Sequence, residues 1–177
     1  MKHLFIINPN CGKGISHERC AAGIVDAMTE MGITDYEIHV TEGAGDGYNY
    51  AKAQVDKGDH IRVYACGGDG TLWEVVNACA CKPNAEVAAF PLGSGNDFIR
   101  IFGNKKDLRD VKDHINGTVM EFDLIKCGDE YAINQCSMGL DAEVCARQAK
   151  VKKLPFIKGD AAYTIAVLLQ FFGKMRR

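Results

Sequence analysis

Residues 61–71 place a short apolar run directly before a cluster of glycines and the start of an amphipathic segment. The run from Ile61 to Cys66 has the composition of a buried strand, and the apolar spacing after Thr71 is helical. The segment therefore predicts a strand, a tight loop and a helix N-terminus. Because glycine has no Cβ, a ligand can lie against the backbone of such a loop. The unpaired N–H groups and positive dipole end of the helix would suit phosphate.

The same alternation of strand and helix extends through most of the chain. Strands are predicted near 3–7, 36–40, 61–66 and 86–90, and helices near 16–31, 47–57, 71–80 and within 96–116. Strict alternation predicts an α/β fold, a doubly wound and mostly parallel sheet with helices on both faces. Ligands of such folds bind at the carboxyl ends of the strands.

Three glycine-containing loops follow predicted strands, at 8–14, 67–71 and 92–97. Since all three fall at the carboxyl ends of strands, we expect them to form one site. Lys13 is the cation nearest to a phosphate held by the first loop. The Asp69 carboxylate would repel a bare polyphosphate, so a divalent cation or a ligand hydroxyl is expected beside it. The spacing fits neither a Walker A loop nor a dinucleotide fingerprint.

Each loop also has a purely structural explanation. Thr71 and Glu74 form a capping-box pattern, which satisfies helix N–H groups without any ligand. Asn-Pro followed by glycine is ordinary turn chemistry. The recurrence of glycine loops after three strands favours the binding interpretation over isolated turns.

After Gly117 the pattern changes to two strand-like segments, 119–127 and 131–138, joined by a Gly-Asp turn. This is a hairpin and not another βα unit. Helices are predicted near 140–150 and 160–173. We therefore divide the chain into an α/β domain with the glycine loops, residues 1–117, and the incomplete beginning of a second domain, residues 118–177.

Composition argues against several classes of function. The chain has 177 residues and a formal net charge of −2, which gives nucleic-acid binding no electrostatic support. It has no apolar stretch of the ~20 residues that a spanning helix needs, so a cytoplasmic location is expected.

The eight cysteines are scattered in apolar contexts and are predicted to be reduced and mostly buried. The pair Cys79 and Cys81 lacks the partners of a zinc site.

Three motifs together resemble the diacylglycerol kinase catalytic family, which includes bacterial lipid kinases and sphingosine kinases. They are Asn-Pro-Asn-Cys-Gly at 8–12, Gly-Gly-Asp-Gly-Thr at 67–71 and Pro-Leu-Gly-Ser-Gly-Asn-Asp-Phe at 91–98. The second motif is shared with NAD kinases and phosphofructokinases, whose nucleotide-binding fold is also implied here. The third motif points to the lipid branch. The segments at 131–134 and 139–142 look like the start of the family's second, β-sandwich domain.

The resemblance implies transfer of the ATP γ-phosphate to a lipid hydroxyl, such as that of diacylglycerol, with Mg²⁺ as cofactor. Asp69 would organise the magnesium nucleotide, and Asp97 and Asp123 would belong to an acidic network beside it. Which residues ligate the metal is left open. By their match to the family, the nucleotide-binding residues would be Asn8, Pro9, Asn10, Cys11, Gly12, Thr41, Gly68, Asp69, Gly70, Thr71, Leu72, Trp73, Glu74 and Ser94.

This chain departs from the family at Trp73, where asparagine is usual, and at Cys11, where serine is common. The family's general base is expected in a C-terminal part beyond these residues. The resemblance further implies transient peripheral contact with a membrane that holds the lipid. An apolar face left by an incomplete second domain would favour self-association into a homo-oligomer. Two alternatives stay open, a nucleotide-binding module without catalysis and a kinase for a soluble substrate such as NAD.

Overall fold

A computed structural model of the chain describes residues 1–11, 16–103, 108–139 and 142–146. Its contacts gather Met1–Asn134 into one compact unit, and the described residues from Gln135 onward belong to a second. In the second unit, residues 142–146 are helical, and the Glu143 N–H donates to the Gly139 carbonyl at 3.1 Å. The predicted helix near 160–173 and most of the one near 140–150 lie outside the described residues.

The first unit alternates strands and helices in the predicted order. Its elements are β1 (Lys2–Ile7), α1 (His17–Glu30), β2 (Tyr36–Val40), α2 (Asp46–Val55), β3 (Ile61–Gly67), α3 (Asp69–Cys79), β4 (Ala85–Pro91), a 3-10 helix (Phe98–Phe102), α4 (Val111–Asn116), β5 (Ile125–Cys127) and β6 (Glu130–Ala132). Local signals explain the ends of α1: the Ser16 hydroxyl accepts from the Arg19 N–H at 3.3 Å, and Gly32 follows with φ +66°.

Strands β1 to β4 form a parallel sheet in the order β2-β1-β3-β4. The predicted α/β fold with a parallel sheet is thereby confirmed. Strand β1 lies in the middle, and its Phe5 stands opposite Ile38 of β2 and Tyr64 of β3. Residues 4–7 are accordingly continuously buried and apolar, as a central parallel strand requires.

The two faces of the sheet bury two separate apolar clusters. Alternate residues of β1 point to opposite faces, so Leu4 and Ile6 pack with α2 and α3, whereas Phe5 and Ile7 pack with α1 and α4. All four side chains are fully buried. Full burial of side chains of this size contributes roughly 1.5–3 kcal/mol each to the free energy of unfolding. Helices therefore cover both faces of the sheet.

The chain reverses its direction across the sheet between β1 and β3. Strand β1 leads into α1 on one face, and its neighbour β3 leads into α3 on the opposite face. The two connecting loops diverge and leave a crevice between the carboxyl ends of these strands. In open α/β sheets this switch point is where ligands bind.

The predicted hairpin exists, but its strands are shorter than expected. Pairing is confined to Ile125–Cys127 and Glu130–Ala132, around a turn with Gly128 at φ +63°. Residues 119–124 and 133–138, predicted as strand, lie outside this pairing. Strand-forming composition needs cross-strand and same-face packing before it becomes a strand, and Val119 and Met120 are mostly exposed.

Within the first unit, the hairpin is attached to helix α3. The Asn77 amide donates to the Tyr131 carbonyl at 2.9 Å and accepts from the Tyr131 N–H at 2.8 Å. One side chain thus bonds both backbone groups of Tyr131, as a neighbouring strand would. The sequence-based boundary after Gly117 stays a prediction.

The expectation that the cysteines are mostly buried is wrong. Cys20, Cys66 and Cys79 are buried and Cys11 is partly buried, whereas the remaining cysteines, Cys81, Cys127, Cys136 and Cys145, are exposed. Cys11, Cys20, Cys66, Cys79, Cys81 and Cys145 are free thiols. Burial raises the pKa of Cys66 well above its usual value and raises that of Cys79 to about 12. These two thiols are therefore packing groups and not nucleophiles.

Candidate functional site

A cavity of about 240 Å³ lies at the switch point of the sheet. Its walls come from the loops that follow β1, β2 and β3 and from the first turns of α3. It is lined by Asn8, Asn10, Cys11, Thr41, Gly43, Ala44, Gly68, Gly70, Thr71 and Glu74. Cavities that enclose a whole drug-sized ligand measure roughly 300–1,000 Å³. This one matches part of a nucleotide, such as its phosphates or its ribose.

The N-terminus of α3 opens into the cavity without a side-chain cap. Gly68 is the N-cap residue, and no side chain bonds to the first turn from that position. The first N–H groups of a helix have no intrahelical partners, and Gly70 and Thr71 both line the cavity. The Asn8 amide donates to the Thr71 hydroxyl at 3.3 Å and joins the first loop to this turn. The helix end presents donors and a positive dipole to an anion.

The capping-box interpretation of Thr71 and Glu74 is wrong. Helix α3 begins at Asp69, two residues earlier than predicted, so Thr71 lies inside its first turn. The Glu74 carboxylate accepts instead from the N–H groups of Gly45 at 2.8 Å and Tyr48 at 3.2 Å. It therefore binds the N-terminus of the neighbouring helix α2 and not the N-terminus of α3, the helix to which Glu74 belongs.

The Asp69 carboxylate joins the second glycine loop to the third. Its two oxygens accept from the N–H groups of Asn96 at 2.8 Å and Asp97 at 2.6 Å. Gly95 lies so close that an added Cβ would stand 2.5 Å from an Asp69 oxygen. Asp69 is therefore satisfied by backbone donors even without a ligand. Each oxygen keeps acceptor capacity for a water molecule or a ligand hydroxyl.

Glycines let the second and third loops touch at their backbones. A Cβ added to Gly93 would lie 2.4 Å from the Cα of Gly68, which no side chain permits. Asn96 is buried with φ +54°, and its amide donates to the Gly93 carbonyl at 2.6 Å. Asparagine tolerates this left-handed conformation better than most residues. Together with the Asp69 bonds, these contacts make the two loops one unit.

The structure brings many of the predicted nucleotide-binding residues together. The cavity is lined by the predicted residues Asn8, Asn10, Cys11, Thr41, Gly68, Gly70, Thr71 and Glu74. Its lining does not include Pro9, Asp69, Leu72, Trp73 or Ser94. Gly12 and Lys13 lie outside the described residues.

The loop between β2 and α2 is a wall of the cavity that the sequence analysis missed. Gly43 and Ala44 line the cavity beside the predicted Thr41. The available signal was the glycine cluster at 43–47, which also follows a strand. It carries no known phosphate-loop spacing, so its part in the site depends on tertiary packing.

The three predicted acidic residues have different surroundings. Asp97 is half exposed and pairs with Arg100 at 3.1 Å, whereas Asp69 is held by backbone N–H groups. Across the described part of the chain, His, Cys, Asp and Glu side chains form no group of three or more that could hold a metal ion. Asp123 follows the aromatic residue Phe122, which packs against Phe98 at 5.4 Å between ring centroids. A Mg²⁺ ion at this site would therefore need coordinating oxygens from the molecule bound beside it.

Fold and site together define an α/β domain with a glycine-lined, anion-compatible cleft at its topological switch point. Residues 2–127 match the family described as "Diacylglycerol kinase catalytic domain". This match covers more than half of the chain. The chain therefore belongs to the diacylglycerol kinase catalytic domain family.

Known relatives agree with this assignment. The chain is 33% identical over 164 residues to a "Diacylglycerol kinase" of Staphylococcus aureus strain MRSA252, a match that covers 90% of this chain and 50% of that protein. A crystal structure of a diacylglycerol kinase from Bacillus anthracis strain Sterne superposes with a TM-score of 0.66 at 30% identity. That match covers 85% of this chain and 51% of the other.

The chain spans about half the length of the relatives it matches. Among the residues that the structure describes, no helix is both long and apolar enough to cross a membrane.

Proposed function

We propose that this chain carries the MgATP-binding part of a lipid kinase that phosphorylates a hydroxyl of diacylglycerol or a related lipid. The observation that carries the proposal is the cavity at the switch point, because its walls lie within the residues that match the family and hold the motifs that resemble the family's ATP-binding segments. The family and the names of the relatives support the lipid as the acceptor.

The chemistry of the cavity walls fits a phosphate-bearing ligand. The N–H groups of Gly70 and Thr71 would bind phosphate oxygens at the N-terminus of α3. The Asn8 and Asn10 amides and the Thr41 hydroxyl would bind the other polar groups of the nucleotide. Since the cavity measures about 240 Å³, the rest of the nucleotide would lie outside it.

Magnesium would enter with the nucleotide. Mg²⁺ is usually bound through one or two carboxylates together with substrate phosphates and water. The half-exposed Asp97 carboxylate fits this requirement, and Asp69 would orient a metal-bound water through its remaining lone pairs. When bound, the ion would neutralise charge on the phosphates, which with positioning supplies most of the catalysis in phosphoryl transfer.

The reaction moves the γ-phosphoryl group from ATP to the lipid hydroxyl oxygen, and ADP leaves. The lipid resides in a bilayer, so we propose a cytoplasmic protein with peripheral and transient membrane contact. Absence of nucleic-acid binding and self-association into a homo-oligomer stay predictions. So does the part that Asp123 would take in the acidic network.

The deciding experiment measures transfer of radiolabelled phosphate from MgATP to vesicles that contain diacylglycerol, monoacylglycerol and sphingoid bases. The chain and its Asp97→Ala variant are compared, with Asp56→Asn as the matched control. Asp56 pairs with Lys52 and Lys82 on the surface, away from the cavity. We expect a labelled lipid that is lost with Asp97→Ala and kept with Asp56→Asn, a result that would also place the general base within these residues and not beyond them.

Two other outcomes would change the proposal. MgATP binding by calorimetry without labelling of any acceptor would support only its MgATP-binding part, with the general base outside these residues or with no catalysis at all. Label in NAD and not in lipid would indicate a kinase for a soluble substrate. Absence of MgATP binding would contradict both the lipid kinase and the module.

A further inference from the structure

Helix α2 has no cap of its own at the end that faces the cavity. Its N-cap residue is Gly45, at φ 84°, and no side chain from that position bonds to the first turn. The residues just before it, Gly43 and Ala44, form part of the cavity wall. A loop of small residues before an uncapped helix has little in its own sequence to fix its position.

Glu74 supplies the missing cap from α3. Its two carboxylate oxygens accept from the N–H groups of Gly45 at 2.8 Å and Tyr48 at 3.2 Å. A carboxylate at this helix end also interacts favourably with the helix dipole. A Cβ added to Gly47 would stand 2.7 Å from the second of these oxygens, so the carboxylate lies directly against the helix backbone.

A second bond holds the same loop from the side of β2. The Asp46 carboxylate accepts from the Glu42 N–H at 2.9 Å, and the same oxygen lies 2.9 Å from His39 Nε2. The backbone hydrogen bond from Glu42, with His39 in support, lowers the pKa of Asp46. Asp46 therefore fastens the start of α2 to the end of β2 and the loop after it. Glu74 fastens the same loop to α3.

We propose that Glu74 is a positioning residue, which acts on the nucleotide through the β2–α2 loop and not by direct contact. Both of its oxygens are engaged by backbone donors of α2. Its effect is to fix the wall formed by Thr41, Gly43 and Ala44 against the N-terminus of α3. This inference rests on the proposed function for the identity of the ligand. The clamp itself, meaning the two hydrogen bonds from Gly45 and Tyr48 to Glu74, is testable without any ligand.

Because Glu74 orders the β2–α2 loop before the nucleotide binds, its removal should change the KM for MgATP. A wall that must be ordered during binding reduces affinity by the cost of that ordering. Glu74→Ala should therefore raise the KM for MgATP by roughly tenfold, the fold-change that loss of a typical helix cap produces, and change kcat much less. Glu74→Gln keeps one acceptor oxygen and should give an intermediate KM.

The first test is amide hydrogen exchange of the whole chain in the absence of nucleotide. We expect Glu74→Ala to speed exchange in peptides covering residues 41–48 by roughly tenfold, with Glu74→Gln in between. The matched control is Asn84→Ala. The Asn84 amide holds the opposite end of α2 through the carbonyls of Val55 at 2.9 Å and Asp59 at 3.0 Å.

The outcomes separate the clamp from the kinase. Faster exchange at 41–48 with Glu74→Ala and unchanged exchange there with Asn84→Ala supports the clamp. Unchanged exchange with both Glu74 variants overturns it, and any loss of MgATP affinity would then report direct contact. If the unaltered chain binds no MgATP, the proposed function fails, while the exchange result still decides whether Glu74 holds the loop.

Discussion

At the scale of single residues, the acidic side chains around the cavity differ in what already binds them. Asp69 and Glu74 each accept two backbone N–H groups, whereas the Asp97 carboxylate is half exposed and pairs with Arg100. A carboxylate satisfied by backbone donors holds loops in place. A half-exposed carboxylate keeps capacity for a metal ion or a ligand. The acidic side chains of one site therefore differ in how much acceptor capacity they keep.

This difference predicts opposite effects of two substitutions on stability. Asp69→Ala leaves the N–H groups of Asn96 and Asp97 without their acceptor and should lower the free energy of unfolding by about 1–3 kcal/mol. Asp97→Ala removes a surface side chain and should change it by no more than about 0.5 kcal/mol. Urea unfolding of both variants checks this. Equal stabilities would contradict the assignment of Asp69 as the link between loops.

The sequence predicted which residue types lie at the site better than it predicted their partners. Asn8, Gly68 and Thr71 line the cavity as expected, because strand ends and glycines are visible in sequence. Glu74 satisfied a local capping rule, yet its carboxylate bonds to Gly45, 29 positions away. Local rules describe neighbours within one helix and contain no information on the packing of α2 against α3.

At the scale of elements, close backbone contact between loops makes certain glycines irreplaceable. Gly93→Ala should separate the second and third loops, since its Cβ would meet Gly68 at 2.4 Å. We expect a lower melting temperature and weaker MgATP binding. Gly23→Ala, in the middle of α1 with open space around it, should instead raise stability by about 0.5–1 kcal/mol. A melting temperature that is unchanged by Gly93→Ala would contradict the tight contact.

Asn77 gives a second prediction at this scale. Because its amide bonds both backbone groups of Tyr131, Asn77→Ala should release the β5–β6 hairpin from α3 while the parallel sheet stays folded. Amide exchange should rise in residues 125–132 and stay constant in β1 and β3. A uniform rise over the whole first unit would show that the hairpin is required for the core.

The elements of the parallel sheet were predicted to within a few residues, whereas the hairpin strands were predicted too long. Buried parallel strands such as β3 consist of mostly apolar runs that end at glycine, and this signal is local. The segment at 119–124 has similar composition but no paired strand in the described structure. Strand formation there would depend on a partner elsewhere in space, which composition does not specify.

At the scale of the whole molecule, buried polar groups tie the sheet to the helix layer opposite α2 and α3. The Arg62 guanidinium donates to Glu86 at 2.6 Å and to the carbonyls of His114 and Ile115 at 2.9 Å. It therefore anchors the end of α4 to β3 and β4. Beside it, His3 Nδ1 lies 2.7 Å from the Tyr64 hydroxyl, and both side chains are buried.

The buried His3 makes the stability of the whole chain depend on pH near neutrality. Burial, with the Arg62 charge in support, lowers the pKa of His3 below its usual 6.5. The unfolded chain therefore takes up a proton at His3 more readily than the folded chain, so the stabilisation is present above pH 6.5 and is lost as pH falls through the folded pKa.

We expect the free energy of unfolding, measured by urea denaturation, to decrease as pH is lowered below about 6.5, and His3→Gln to make this dependence shallower. His17→Gln is the matched control, because His17 is partly exposed and forms its ion pair with the neighbouring Glu18. It should leave the slope unchanged. If His3→Gln and the unaltered chain gave parallel curves over this range, protonation of His3 would not limit the stability of the fold.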